Sequence, residues 1–85
     1  MYWSIDGAQR LGVALRELRL ERGFSQEKLA FSAGITKNQL QLLEAGRASG
    51  RKGETGPSNP QMATIYGLAR VLDVSVAELL TRAGI

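Results

Sequence analysis

Apolar residues recur at helical spacing in five stretches, and each stretch is punctuated by capping and breaking residues. Leu11, Leu15 and Leu18 fall four and three apart, one stripe of an amphipathic helix. Asp6 is placed to cap its start and Gly23 to take the left-handed turn that ends it, which predicts a helix over about 7–22. Ser25 then reads as an N-cap with Glu27 in the first turn, and Phe24 and Leu29 have the spacing of a hydrophobic staple. Gly34 closes this second helix, about 25–32. Thr36 with Gln39 forms a capping box, Ile35 with Leu40 a second staple, and Gly46 the stop of a helix over about 36–45.

Residues 47–59 break the pattern. They have no periodicity and hold three glycines and a proline, which predicts a flexible loop, long for a compact domain. Asn59-Pro60 reads as N-cap and first helical residue of a fourth helix, about 60–72, with Ile65, Leu68, Ala69 and Leu72 on one face. Ser75 with Glu78 makes another capping box and Val74 with Leu79 another staple, opening a fifth helix over about 75–83. No stretch alternates as a strand would, and there is no internal repeat. The fold class is all-α, five helices in a single domain over 1–85.

Composition narrows what such a domain does. Cysteine and histidine are both absent, which removes disulfides, thiolate metal sites and the commonest general base and metal ligand. An enzyme is therefore an improbable reading, and no cofactor is called for. No apolar run approaches the ~20 residues of a membrane span, and Met1 to Asp6 do not resemble a signal peptide. The expectation is a cytoplasmic chain with no membrane partner. Eleven basic against eight acidic residues give a net charge of +3, and Lys37, Arg47, Arg51 and Lys52 face only Glu44 between positions 37 and 52. That distribution leans toward an anionic partner.

The segment from Gln26 to Leu43 carries the sharpest signal. Two short helices joined by three or four residues must cross closely. Ala30 is small where they approach, Gly34 admits φ > 0 at the turn, and Ile35 plugs the corner. Leu40 and Leu43 pin the second helix and leave its other face free. Any one of these residues is ordinary; all of them in register specify a helix-turn-helix.

Together the residues Leu15, Leu18-Arg19, Gly23-Phe24-Ser25-Gln26, Leu29-Ala30, Gly34-Ile35-Thr36, Leu40, Leu43-Glu44 and Gly46 resemble the phage-repressor (Cro/XRE-type) helix-turn-helix family. Asn59-Pro60, Leu68-Ala69, Leu72, Val74-Ser75 and Glu78-Leu79 extend the resemblance over roughly 11–80. It implies a third helix docked in the DNA major groove. The family's phosphate-contacting Gln falls on Gln26, at a helix start whose free N–H groups also favour an anion. Its base-reading positions fall on Lys37, Asn38 and Leu42, with Gln41 beside them. The chemistry agrees, since Lys donates to guanine and Asn pairs with adenine, while Leu42 offers either thymine-methyl contact or an exposed interface position. The Arg of the first helix and the Glu ending the third, here Arg19 and Glu44, form an interhelical pair in the family.

The loop departs from the family, being about ten residues longer than its usual short connection. It reads as a basic arm in which Arg47, Arg51 and Lys52 hold phosphates, as an inert insertion, or as a dimer contact. A Walker phosphate loop is excluded by spacing and by the lack of a preceding strand. Tyr2 and Trp3, with Val13 and Leu20, read either as a cover for the core or as a dimer surface. Double-stranded DNA is the expected partner, read by a homodimer over half-sites ~34 Å apart. No small-molecule ligand is written in the sequence. The rival reading is a protein-interaction module that keeps the fold without DNA binding.

Overall fold

The computed structural model describes residues 3–48 and 56–85. Five helices follow in order: α1 (Ile5–Glu21), α2 (Gln26–Ala33), α3 (Lys37–Ala45), α4 (Met62–Val71) and α5 (Val76–Ala83). Helix α1 packs on α3 and α5, α2 packs on α3 and α4, and α4 closes against α5. The shared core is the leucine stripe read from the sequence. Leu11, Leu15, Leu18, Leu29, Leu40, Leu43, Leu68, Leu72 and Leu79 are all buried in it, with Ala14, Ala30, Ile65 and Ala69. Full burial of such a side chain contributes about 1.5–3 kcal/mol.

Local capping chemistry sets most helix ends. Thr36 Oγ1 accepts from Gln39 N–H at 3.0 Å while Gln39 Oε1 accepts from Thr36 N–H at 2.8 Å. The same reciprocal box closes at Ser75 and Glu78. Ser25 caps α2 through Lys28 N–H, and Gly34 and Gly46 end α2 and α3 in the left-handed conformation.

Three expectations need correction. Asp6 does not cap α1: Ser4 does, its Oγ accepting from Gly7 N–H at 3.1 Å, so the helix starts at Ile5. Asp6 instead lies in the first turn and pairs with Arg10 at 3.0 Å. Helix α4 starts at Met62, not at Asn59-Pro60, and Gln61 in extended conformation is its uncapped boundary. The third correction explains the second. The chain from Gly46 to Ser58 is not structureless at its ends, because Arg47 and Pro57 form an antiparallel bridge. Ala48 N–H donates to Gly56 C=O and Ser58 N–H to Gly46 C=O. Residues through Ser58 are thus held extended, and the chain needs 59–61 to turn into the helix. Arg51 and Lys52 lie outside the described residues.

Among the described residues, no helix is long and apolar enough to cross a membrane. Trp3 packs against the core, whereas Val13 and Leu20 stand 55% and 58% exposed on α1. The N-terminal group therefore divides: Trp3 is core cover and the α1 pair is surface. Tyr2 lies outside the described residues.

An ion pair between Glu21 and Arg82 ties α1 to α5. The hydrogen bond from Arg82 holds the Glu21 carboxyl below its ordinary range, and the Ser75 backbone N–H does the same for Glu78. A lowered folded-state value means the stabilisation is present above the unfolded pKa, about 4.3 for Glu, and is lost as pH falls through the folded value. Glu21→Gln should therefore melt below wild type at neutral pH and converge with it in acid. A gap in melting temperature that stays constant down to acid pH would refute the assignment.

Candidate nucleic-acid interface

Helix α3 is fixed from behind and open in front. At roughly 100° per residue, Leu40 and Leu43 point into the core while Lys37, Asn38 and Gln41 share the outward arc, and all three are exposed. Leu42 sits at the edge of that arc and is half-buried, facing a groove toward α4. The four residues expected to read bases thus lie on one helix, three fully presented and Leu42 partly covered.

The rear of α3 is held by charge. Arg19 Nε donates to Glu44 Oε2 at 2.7 Å and its Nη2 to Oε1 at 3.1 Å, a bidentate fork. The Arg19 and Glu44 side chains are only 10% and 5% exposed. A third donor of the same guanidinium bonds the Phe24 carbonyl at 3.0 Å, which ties in the corner ahead of α2. The family-implied pair is present, and its charges are compensated where water is largely excluded.

Gln26 joins this network. Its Nε2 donates to Glu44 Oε1 at 3.0 Å, so the residue expected to bind phosphate is oriented by the same carboxylate that holds α3. Its second amide hydrogen and the free N–H groups of the α2 start remain for an anion. Gln26, Gln41 and the exposed Arg16 line one recess beside α3. Arg16 escaped the sequence reading, although its place three residues before Arg19 puts both on the same side of α1. Arg47, exposed at the base of the loop, is positioned by its N–H bond to the Leu42 carbonyl at 2.9 Å.

A second unforeseen feature is the close crossing of α1 and α3. Gly12 is buried there, and a Cβ on it would lie 2.4 Å from the Glu44 carbonyl oxygen. Gly46, at φ +71°, would bring a Cβ to 2.9 Å from Gln9 Cα. The only sequence signal was a glycine inside an otherwise good helix, a choice costing about 1 kcal/mol unless something approaches closely.

A helix-turn-helix domain model matches residues 10–81. The chain belongs to that helix-turn-helix family. Within it, the phage-repressor (Cro/XRE) type read from the sequence holds. The domain is 34% identical over 77 residues to the uncharacterized HTH-type transcriptional regulator y4dJ of Sinorhizobium fredii, covering 91% of this chain and 87% of that protein. It is 33% identical over 67 residues to the cryptic phage CTXphi transcriptional repressor RstR of Vibrio cholerae. That match covers 79% of this chain and 51% of the repressor, so this helix-turn-helix domain spans about half of that relative. Among solved structures, the biofilm master regulator SinR of Bacillus subtilis in complex with DNA superposes with a TM-score of 0.64 at 34% identity. The match covers 82% of this chain and 97% of that one.

Proposed function

We propose that this helix-turn-helix domain is a sequence-specific, double-stranded DNA-binding transcriptional regulator that reads the major groove with α3. The observation that carries the reading is the presentation of Lys37, Asn38 and Gln41 on a helix immobilised by the buried Arg19–Glu44–Gln26 network. A groove-reading helix needs rigid placement and exposed polar tips, and that pairing supplies both. Gln26 and Arg47 hold phosphates, and Leu42 meets a base edge from the side. The DNA-bound SinR structure supports the same use of the fold. Two copies on a two-fold site extend the few base pairs that one domain reads. Repression is the regulatory sense favoured by the RstR likeness.

Titration of duplex DNA at several salt concentrations tests this. Binding should weaken steeply, with a log–log slope near −0.9 for each phosphate neutralised. Asn38→Ala should cost about 1–3 kcal/mol on a selected site and relax base preference there, whereas Arg47→Ala should weaken all sequences alike and reduce the slope by about one. Absence of duplex binding at low salt would overturn the proposal. It would favour the protein-interaction reading, which Phe31, 85% exposed on α2, independently supports.

A further inference from the structure

The loop base that presents Arg47 holds itself together weakly. Arg47–Pro57 is an isolated antiparallel bridge, and Pro57 has no N–H to add to it. Two backbone bonds flank the bridge, from Ala48 N–H to the Gly56 carbonyl at 3.0 Å and from Ser58 N–H to the Gly46 carbonyl at 3.1 Å. So short a two-stranded pairing is marginal in water without further support. Closing it also buries Ser58, which is 3% exposed and whose Oγ finds no hydrogen-bond partner among the described residues. A buried hydroxyl left unpaired opposes closure. The returning segment 56–58 therefore needs an anchor outside the pairing.

Trp3 is that anchor. Its indole Nε1–H donates to the Ser58 carbonyl, 55 residues away in sequence. The residue stands just ahead of Ser4, the cap of α1, and packs half-buried against the core. Its ring lies on the first turn of α1, where a Cβ on Gly7 would be 3.7 Å from Cε3 and Cζ3. One side chain thus links the fixed start of α1 to the segment that returns from the loop.

At the other end of the link is Arg47. It follows Gly46, whose carbonyl Ser58 holds, and its own N–H donates to the Leu42 carbonyl at 2.9 Å. With segment 56–58 in place, the backbone on both sides of Arg47 is tied while its side chain stays exposed. With that segment displaced, only the bond to Leu42 remains. We infer that Trp3 is a positioning residue of the DNA interface, which closes the loop base and so holds Arg47 ready for the duplex. The role rests on the DNA-binding reading and gives the N-terminal tryptophan a part in it without a contact to DNA. Two states of the loop base follow, one closed with Trp3 seated and one open with Trp3 released. Duplex DNA binds the closed state more tightly, because there the ordering of Arg47 is already complete.

A double-mutant cycle on the full chain tests the role. Trp3→Phe, Arg47→Ala and the double variant are compared with wild type in titration of a mixed-sequence duplex and in thermal melting. Trp3→Phe keeps an aromatic ring and removes the donor. It should weaken duplex binding about 2- to 10-fold, in line with the loss of one hydrogen bond. In the Arg47→Ala background the same change should leave affinity where it was, since no guanidinium is left to position. Melting should show no such coupling, with Trp3→Phe lowering the melting temperature equally in both backgrounds. Replacing Trp3 by benzothienylalanine keeps the bicyclic ring and puts sulfur in place of the N–H. That variant should reproduce the affinity loss with a smaller drop in melting temperature, and it takes the place of Trp3→Phe in the cycle if the phenylalanine variant does not fold. Equal affinity losses in both backgrounds assign Trp3 to the core alone and overturn the inference, as does unchanged affinity of Trp3→Phe. Arg47→Ala binding duplex as tightly as wild type also overturns it, while DNA binding through α3 stands. A wild-type chain that binds no duplex overturns both readings.

Discussion

Gly12→Ala should lower the stability of the domain by about 1–2 kcal/mol, although alanine is the better helix former. The two effects oppose each other and their sizes decide the sign. In an unconstrained helix interior the change would gain about 1 kcal/mol. At position 12, however, the new methyl would sit 2.4 Å from the Glu44 carbonyl oxygen, 2.6 Å from that of Leu43 and 2.8 Å from the Glu44 carbonyl carbon. All three are backbone atoms of α3, so no side chain can swing aside. Inserting a methyl into a closed contact costs typically 1–3 kcal/mol, and more where only a helix shift relieves it. The clash wins. Relief requires α3 to move off α1, which carries Lys37, Asn38 and Gln41 with it, so duplex affinity should fall along with stability. Gly7 is the control on the same helix, since a Cβ there meets nothing closer than 3.7 Å. Gly7→Ala should be neutral or stabilising in chemical denaturation, and a Gly12→Ala protein as stable as wild type would mean the α1–α3 crossing is looser than described.

That crossing also shows where the sequence was legible and where it was not. The capping boxes at Thr36–Gln39 and Ser75–Glu78 and the glycine stops at Gly34 and Gly46 depend on residues a turn apart, so spacing alone revealed them. The leucine stripe followed from period, and the whole stripe is buried. Failures at the ends were also local but ambiguous. Ser4 and Asp6 are comparable caps, and nothing in the chain ranks one above the other. Asn59-Pro60 is a sound helix start overridden by pairing with residues upstream, since the Arg47–Pro57 bridge and the Ser58 N–H bond to Gly46 hold the chain extended right up to it.

The site divides in the same way. Lys37, Asn38 and Gln41 were legible because the face opposite Leu40 and Leu43 has to be the outward one. Leu42 was not, because its partial cover comes from a groove formed with residues after the loop. Gln26 with Glu44, separated by 18 residues, and Trp3 with Ser58, separated by 55, are meetings that no periodicity encodes. Both convert a locally plausible residue into a positioned one: an N-terminal tryptophan that read as core cover or dimer surface becomes the donor that fixes a loop serine. The candidate site of this chain is therefore positioned by long-range hydrogen bonds laid over a locally specified scaffold.

Glu44→Ala is the substitution that tests that network most directly, and it should cost about 3–5 kcal/mol. The reason is what it leaves behind more than what it removes. Arg19 would keep its charge at a site where its side chain is 10% exposed, and would lose both prongs of its fork, retaining only the Phe24 carbonyl. A buried cation without a counter-charge is far more costly than the net worth of the pair, which is why single and double replacements should diverge. Arg19→Met with Glu44→Leu removes both charges at similar volume, and should recover most of the stability lost by Glu44→Ala. The double variant should not recover DNA binding to the same extent. Gln26 would have lost the acceptor at 3.0 Å that orients it, so its amide would have to be ordered again on the phosphate at a cost in side-chain entropy. Denaturation and duplex titration on the same proteins separate the two roles. Stability restored with affinity still reduced assigns the network to positioning the interface as well as to holding the fold. Full recovery of both would reduce it to a structural tie between α1 and α3.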